Sequence, residues 1–176
     1  LRQPFADSGV PMLRSLAITT LLIGSAALAQ TPPADLALTQ VVAPGVLSQP
    51  LAVRHAGDGS GRLFIVQKTG SIRLYKNGAL VVTPFLTLSV ATSSEQGLLG
   101  LAFHPDYDGV SERRFYVAYT STTAGNPQRI AEFQTTAGDP DVADVATRRE
   151  VIEVLDLAGN HNGGDIQFAQ DGTLYW

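Results

Sequence analysis

Cysteine is absent from this chain of 176 residues. Disulfide bonds and metal sites built on thiolates are therefore excluded, and the fold must be held by its apolar core and its backbone hydrogen bonds. Apolar residues at helical spacing are also nearly absent. Because apolar residues still make up 44% of the sequence and charged residues 16%, the composition is typical of a globular protein, and the pattern favours an all-β fold.

An excess of positive charge is missing as well. The sequence has 12 lysine and arginine residues against 16 aspartate and glutamate residues, which gives a formal net charge of -4. Proteins that bind nucleic acids in general present a basic surface to the phosphate backbone. We therefore expect no nucleic-acid partner.

The N-terminal part holds an apolar run that is short for a membrane span. From Met12, the sequence "MLRSLAITTLLIGSAALAQ" has a positive charge, an apolar run and then small residues. This order predicts a secretory signal peptide over residues 12–29, cleaved after Ala29. The alternatives are a membrane anchor, which needs about 20 apolar residues, and a core helix. We expect a periplasmic or secreted protein without stable membrane insertion, and residues 1–11 are expected to be upstream, non-native residues.

Short stretches rich in strand-forming residues, separated by turns, fill residues 30–176. Turns are expected at Thr69-Gly70 and Asn77-Gly78, and most of the strands should be five to seven residues long. Strands are predicted near Leu38–Val42, at Leu63–Gln67, Ile72–Tyr75 and Ala79–Val82, and in "FLTL", "GLLGLAF", "RRFYVAYTST", "RIAEFQT" and "REVIEVLDL".

An internal repeat organises these strands. An aspartate–glycine pair precedes an apolar–aromatic strand three times, and the aligned strand residues Leu63, Phe115 and Leu174 are 52 and then 59 residues apart. Repeats of about 50 residues with several short strands each indicate a β-propeller. An irregular β-sandwich with unrelated turns is the alternative. The pairs are Asp58-Gly59, Asp108-Gly109 and Asp171-Gly172.

About two and a half such units fit between Val41 and Trp176. A propeller normally closes its ring with at least four blades. The sequence therefore predicts an N-terminal piece of a longer protein, which expressed alone would be aggregation-prone and catalytically inactive.

The three histidines lie in different surroundings. His161 lies in "NHNGG", where glycines let the backbone approach a ligand and asparagine amides can hold one. An imidazole there could take up a proton near neutral pH, or the loop could be structural. His55 is expected to be a surface residue, and His104, which precedes a proline, to shape a turn with Asp106.

Other local signatures of catalysis are missing. The sequence has no Gly-x-Ser-x-Gly elbow, no phosphate-binding Gly-x-x-x-x-Gly-Lys-Ser/Thr loop and no His-Glu-x-x-His pair. The alternating glycines of "AGDGSGRLF" lead into a strand without a helix, which excludes a dinucleotide-binding motif. Asp58, Asp106 and Asp108 could form a calcium site, but such residues more often make turns, and no metal ligand is assigned in this segment.

Several motifs in combination resemble the glucose/sorbosone dehydrogenase family. They are "GLLGLAFHPDY" (97–107), "RFYVAYT" (114–120), "NHNGGDIQFAQDGTLYW" (160–176) and, similar to the first blade of bacterial members, "AGDGSGRLFIVQKTGSIRLYKNG" (56–78). The resemblance covers residues 38–176. It implies that these residues are the N-terminal part, about two and a half blades, of a six-bladed β-propeller.

The resemblance also implies a chemistry. Characterised members are soluble periplasmic aldose dehydrogenases that use pyrroloquinoline quinone held with calcium and pass electrons to an external acceptor. By this resemblance His161 is the general base that takes the proton of the sugar's anomeric hydroxyl, and His161 and Asn162 contact the cofactor. The substrate-contact positions hold Glu95 where the sugar dehydrogenases have glutamine, and Asn160 where they often have aspartate.

Two other functions remain open at this point. The family resemblance extends to extracellular propellers that bind protein ligands, so a non-catalytic module that binds protein or glycan ligands is the main alternative to a sugar dehydrogenase. In that case the "NHNGG" loop would be architecture. A calcium-dependent propeller lactonase is a third possibility, although its carboxylate metal shell is not visible in the sequence.

Overall fold

The computed structural model describes residues 36–37, 39–155 and 158–176. The expected signal peptide and the residues before it lie outside the described residues. Within the described part, every helix or strand assigned is a β-strand, and all of them belong to the compact unit Thr39–Trp176. The strands are β1 Pro50–Arg54, β2 Leu63–Gln67, β3 Ser71–Lys76, β4 Ala79–Leu80, β5 Leu86–Thr87, β6 Leu98–Phe103, β7 Arg114–Thr120, β8 Gln128–Thr136, β9 Asp139–Val154, β10 Gln167–Phe168 and β11 Leu174–Tyr175.

The strands form two antiparallel blades and a hairpin. Blade 1 has the order β1-β2-β3-β4, and β5 pairs with the other end of β3, so that two short strands share its outer position. Blade 2 has the order β6-β7-β8-β9, and β10-β11 is the hairpin. Successive strands are neighbours in each sheet, which is the arrangement of propeller blades. The expectation of an all-β propeller segment is confirmed.

The aspartate–glycine repeat has the same geometry three times. Each turn joins the first strand of a sheet to the second, and the aspartate Oδ1 accepts the backbone N–H of the residue two positions on, at 3.1, 2.8 and 2.9 Å. The glycine between them has φ of +73°, +74° and +82°, a region that other residues adopt at a cost. The repeat seen in the sequence is therefore a structural repeat. The accepting and donating residues are Asp58 and Ser60, Asp108 and Val110, and Asp171 and Thr173.

Strand β7 is buried on both faces because it lies between blade 1 and the hairpin. Phe115, Val117 and Tyr119 belong to the core shared with blade 1. Tyr116 and Ala118, which alternate with them, belong to a second core with residues of the hairpin segment. This explains why "FYVAY" is apolar without the polar alternation of a surface strand.

Aromatic side chains fill the core between the two blades. Phe64 lies 4.8 Å from Phe85 and 4.7 Å from Phe103 between ring centroids, and Phe85 lies 5.0 Å from Phe115. Phe133 stacks on Phe115 from the outer side of blade 2 at 5.7 Å. Offset and edge contacts of this kind add to the free energy of burying apolar area. The aromatic core therefore joins β2 of blade 1 to β6, β7 and β8 of blade 2.

Two details of the strand prediction are wrong. Residues 39–42 carry no strand, and the first strand is instead β1, which begins at Pro50. A proline is tolerated at the first position of a strand, where its missing N–H costs no ladder bond. The second difference is length, because β4, β5, β10 and β11 have two residues each and β9 has 16. Its pairing with β8 shifts register at three points, which lets one bent strand continue where shorter strands were expected.

We expect Phe115→Ala to lower the free energy of unfolding by about 3–5 kcal/mol, because the ring is fully buried in the core that the two blades share. The measurement is equilibrium denaturant unfolding of the whole protein. Val82→Ala, at a side chain that is 91% exposed, is the matched control and should change the free energy by less than about 0.5 kcal/mol. Equal effects of the two variants would contradict this account of the core.

Candidate functional site

The segments that precede the first strand of each sheet lie together. We call them lead-in segments 1, 2 and 3, residues 47–49, 91–97 and 158–166. Strand β6 packs against both β1 and β10, so the three first strands are neighbours. Backbone and side-chain hydrogen bonds join segment 2 to blade 1 and to segment 3. Glu95, Asn160, His161 and Asn162, which the sequence singled out, all lie in these segments.

Glu95 and His161 are in direct contact, although 66 positions separate them in the chain. The backbone N–H of His161 donates to Glu95 Oε2 at 2.5 Å. In return, the backbone N–H of Glu95 donates to the carbonyl of Gly159 at 3.1 Å. His161 has φ of +61°, a left-handed conformation that is unusual for a residue other than glycine. The two hydrogen bonds hold it there, while its imidazole is exposed.

The two asparagines beside His161 have different surroundings. Asn160, which precedes His161 in the chain, is exposed. Asn162 is only 4% exposed, and its Nδ2 donates to the carbonyl of Ala158 at 3.2 Å. The amide of Asn162 therefore closes the base of the loop, whereas Asn160 and His161 form its outer surface. A cavity of about 320 Å³ adjoins the loop, lined by residues 161–164, Gln128, Val154, Leu155 and Trp176.

The second glycine of the pair after Asn162, Gly164, is explained by close packing on β6. Gly164 has φ of +122°, and a Cβ atom there would lie 2.2 Å from Leu99 Cβ. A Cβ atom on Gly100 would in turn lie 2.1 Å from the carbonyl oxygen of Gly164. The loop of the hairpin thus rests directly on the strand of blade 2. Space requires glycine at both positions of this contact, and at Gly164 the backbone conformation requires it as well.

His104 and His55 lie at the opposite ends of their first strands. The N–H of Asp106 donates to His104 Nδ1 at 3.2 Å, which confirms the expected turn. Arg114 Nη2 lies 3.1 Å from His104 Nε2. His55 is exposed, as expected. Both imidazoles nevertheless line a cavity of about 490 Å³ beside the ends of β1 and β6, a placement that was not predicted. The sequence held a signal for this placement, because His55 and His104 each directly follow the first strand of a blade.

The remaining aspartate candidates make turns, as expected. Burial opposes the ionisation of Asp58, but hydrogen bonds from Ser60 and from the buried Arg62 outweigh it and lower the pKa of that carboxyl group. Asp108 Oδ1 accepts three successive backbone N–H groups. Within residues 36–37, 39–155 and 158–176, no group of three or more metal-ligating side chains is close enough to hold an ion.

We expect Glu112→Gln to destabilise the protein in a pH-dependent way. Arg114 donates to the Glu112 carboxylate, which lowers its pKa to about 2 from an ordinary value of 4.5. Since the folded pKa is lower, the stabilisation is fully present above pH 4.5 and is lost as pH falls through about 2. Denaturant unfolding of both proteins from pH 7 to pH 2 should show a difference that shrinks across this window. A constant difference would contradict the pairing.

We expect Gly164→Ala to lower the free energy of unfolding by more than about 2 kcal/mol, because the new methyl group meets Leu99 and the backbone conformation is unsuited to alanine. Gly163→Ala is the matched control. Its Cβ would meet open space, and only the conformational cost of about 1 kcal/mol at its φ of +57° is expected. Denaturant unfolding of the whole protein measures both. A smaller cost for Gly164→Ala than for the control would refute the packing contact.

Comparison with known proteins places this geometry in a family. The family model of Glucose / Sorbosone dehydrogenase matches residues 47–176. The structure of a glucose dehydrogenase-type oxidoreductase from Thermus thermophilus is 30% identical, with a TM-score of 0.63 over 77% of this chain and 38% of that one. The soluble aldose sugar dehydrogenase of Escherichia coli in its apo form is 25% identical, with a TM-score of 0.56 over 73% and 37%.

Similarity also extends to proteins described by a binding partner. Hedgehog-interacting protein of Mus musculus is 38% identical over 143 residues, and that of Homo sapiens is 36% identical over 143 residues; each match covers 73% of this chain. The chain spans about a fifth of the length of these curated relatives. The family match covers both blades and the hairpin, including the His161 loop, and the chain belongs to the glucose/sorbosone dehydrogenase family.

Proposed function

We propose that the whole protein to which this chain corresponds is a quinone-dependent sugar dehydrogenase, with His161 as its general base. The observation that carries the proposal is the exposed imidazole of His161, held in a left-handed conformation by Glu95 at the lead-in segments. Residues held in strained conformations by their surroundings are typical of functional sites. The likeness to a glucose dehydrogenase-type structure at 30% identity supports the reaction class.

The residues of the loop have separate roles in this proposal. His161 takes the proton of the sugar's anomeric hydroxyl, a step that needs an exposed acceptor near neutral pH. Asn160 and Glu95, both exposed beside it, contact the hydroxyl groups of the sugar. Glu95 has two carboxylate oxygens, of which Oε2 accepts the His161 N–H, so that Oε1 can accept from a sugar hydroxyl. Asn162 supports the cofactor side of the loop from its base.

The electrons of the sugar need a cofactor as their acceptor. The chemistry that pyrroloquinoline quinone, held with calcium, would supply is the acceptance of a hydride from the anomeric carbon of the sugar. The oxidised aldose would then leave as a lactone, and the electrons would pass to an external acceptor. Because the imidazole of His161 is exposed, it is accessible to both the sugar and this cofactor, as the proposed role requires. In the part of the chain that the structure describes, no group of three or more histidine, aspartate or glutamate side chains could hold a metal ion, and the proposal assigns no calcium ligand there.

We propose export to the periplasm or the medium as the location. The signal-like order of residues 12–29 supports it. Among the described residues, no helix is both long and apolar enough to cross a membrane.

A second function is favoured by a specific observation. The identity to Hedgehog-interacting protein, 38% and 36%, exceeds the identity to the two dehydrogenase structures, 30% and 25%. The alternative proposal is therefore a non-catalytic extracellular propeller that binds a protein or glycan ligand. In it, the contact between Glu95 and His161 would shape a binding loop without proton transfer.

We expect the whole protein, supplied with pyrroloquinoline quinone and calcium, to reduce a dye in the presence of aldoses. His161→Ala should lower kcat by about 10²- to 10⁴-fold, the usual contribution of a general base. His104→Gln is the matched control, since that imidazole lies at the other end of β6 and serves a turn. It should leave kcat within about threefold of the original value.

The same experiment separates the two functions. Quinone binding and turnover that depend on His161 establish the dehydrogenase. If the protein binds no quinone in the presence of calcium and reduces no dye, the dehydrogenase proposal fails and the binding-module proposal stands. Equal loss of turnover in His161→Ala and His104→Gln would remove His161 from the role of base.

A further inference from the structure

Lys68 contacts lead-in segments 1 and 2 from blade 1. It follows directly after β2, and its backbone N–H donates to the carbonyl of Gln49, in segment 1, at 3.0 Å. Its carbonyl accepts the N–H of Leu98, the first residue of β6, at 3.0 Å. Its ammonium group donates to two carbonyls of segment 2, those of Thr92 at 3.0 Å and Ser94 at 2.6 Å.

The side chain of Lys68 also fills the space beside β6. A Cβ atom on Gly97 would lie 2.6 Å from Lys68 Cγ and 2.7 Å from its carbonyl oxygen. Gly97 is therefore a glycine because the lysine stem crosses it. The aliphatic stem packs along blade 2 while the charged end reaches the loop, a common arrangement for lysine.

Strained backbone is concentrated where Lys68 acts. In the part of the chain that the structure describes, five residues other than glycine have positive φ, and two of them are asparagines in turns. The other three are Gln49 at +48°, Ser94 at +49° and His161 at +61°, one in each lead-in segment. Each such conformation costs about 1–3 kcal/mol and persists only where surrounding contacts hold it. Lys68 binds the carbonyl groups of two of these three residues, Gln49 and Ser94.

We propose that Lys68 is a positioning residue for His161, acting through segment 2 and Glu95. The ammonium group fixes the backbone of residues 92–94, that backbone sets the position of Glu95, and the Glu95 carboxylate holds the N–H of His161. Blade 1 thus orients a side chain of the hairpin segment across blade 2. The catalytic consequence of this positioning rests on the proposed function, whereas the ordering of the loop does not.

The structure offers a matched pair of lysines for the test. Lys68→Met keeps most of the aliphatic stem that packs on Gly97 and removes only the ammonium group. Lys76 is a half-buried lysine of the same blade, and its ammonium group pairs with Asp141 of β9. Lys76→Met therefore controls for the loss of one partly buried lysine charge without touching a lead-in segment.

Hydrogen exchange of the whole protein, followed by mass spectrometry, measures the ordering directly. Peptides that cover residues 158–164 should exchange about tenfold faster in Lys68→Met than in the original protein, and at the original rate in Lys76→Met. Peptides from β7 should be unchanged in both, which shows that the variants fold. Equal exchange of residues 158–164 in Lys68→Met and the original protein would overturn the proposal.

Kinetics of the quinone-loaded protein test the catalytic consequence. Lys68→Met should lower kcat by about 10- to 100-fold with little change in KM, because a displaced base affects the reaction more than sugar binding. The double variant with Glu95→Ala should be no slower than the slower single variant, because Glu95→Ala removes the acceptor of the His161 N–H through which Lys68 acts. Losses of kcat that multiply in the double variant would contradict the proposed chain of contacts from Lys68 through Glu95 to His161. If the original protein shows no turnover, the dehydrogenase proposal fails, and the exchange result alone still decides whether Lys68 orders the loop.

Discussion

The packing of blade 2 between blade 1 and the hairpin is the constraint on which the rest of the structure depends. It buries β7 on both faces and brings the first strands of all three sheets side by side. It also requires glycine at Gly97, where the Lys68 side chain crosses, and at Gly100, where the hairpin loop rests. The two glycines of "GLLG" are thus explained by contacts of this segment with Lys68 of blade 1 and with Gly164 of the hairpin loop. Without a cysteine in the chain, these contacts are what set the spacing of the blades.

The candidate site follows from this packing. Because β1, β6 and β10 are adjacent, the segments before them meet at one end, and residues distant in sequence come into hydrogen-bond contact. His161 is held through its backbone by Glu95, which leaves its imidazole exposed for proton transfer or for a ligand. The other two histidines, His55 and His104, lie at the opposite ends of their first strands. Both line a separate cavity, and His104 also accepts a hydrogen bond within a turn. One fold therefore separates a strained end with His161 from an end shaped by aspartate–glycine turns.

Much of the fold could be predicted because it depends on local signals. The strand over Leu63–Gln67 has the bounds predicted for it, and the aspartate–glycine repeat indicates the blade period, since each turn is closed within three residues. Strand β1 was not predicted. It begins at Pro50, a residue type that is uncommon in strands, and its hydrogen-bond partners come from the neighbouring β2. The contact of Glu95 with His161 could not be predicted from either segment alone. It depends on the stacking of one sheet on the next, which no local pattern encodes.

The hydrogen bond from the His161 N–H to the Glu95 carboxylate is the contact that links the packing to the proposed chemistry. Selective ¹⁵N-histidine labelling of the whole protein, with Glu95→Ala for comparison, allows the His161 amide resonance to be followed. If the Glu95 carboxylate accepts this N–H, the His161 amide proton is strongly downfield in the original protein and moves upfield in Glu95→Ala. A His161 amide proton at the same position in the two proteins would contradict the contact.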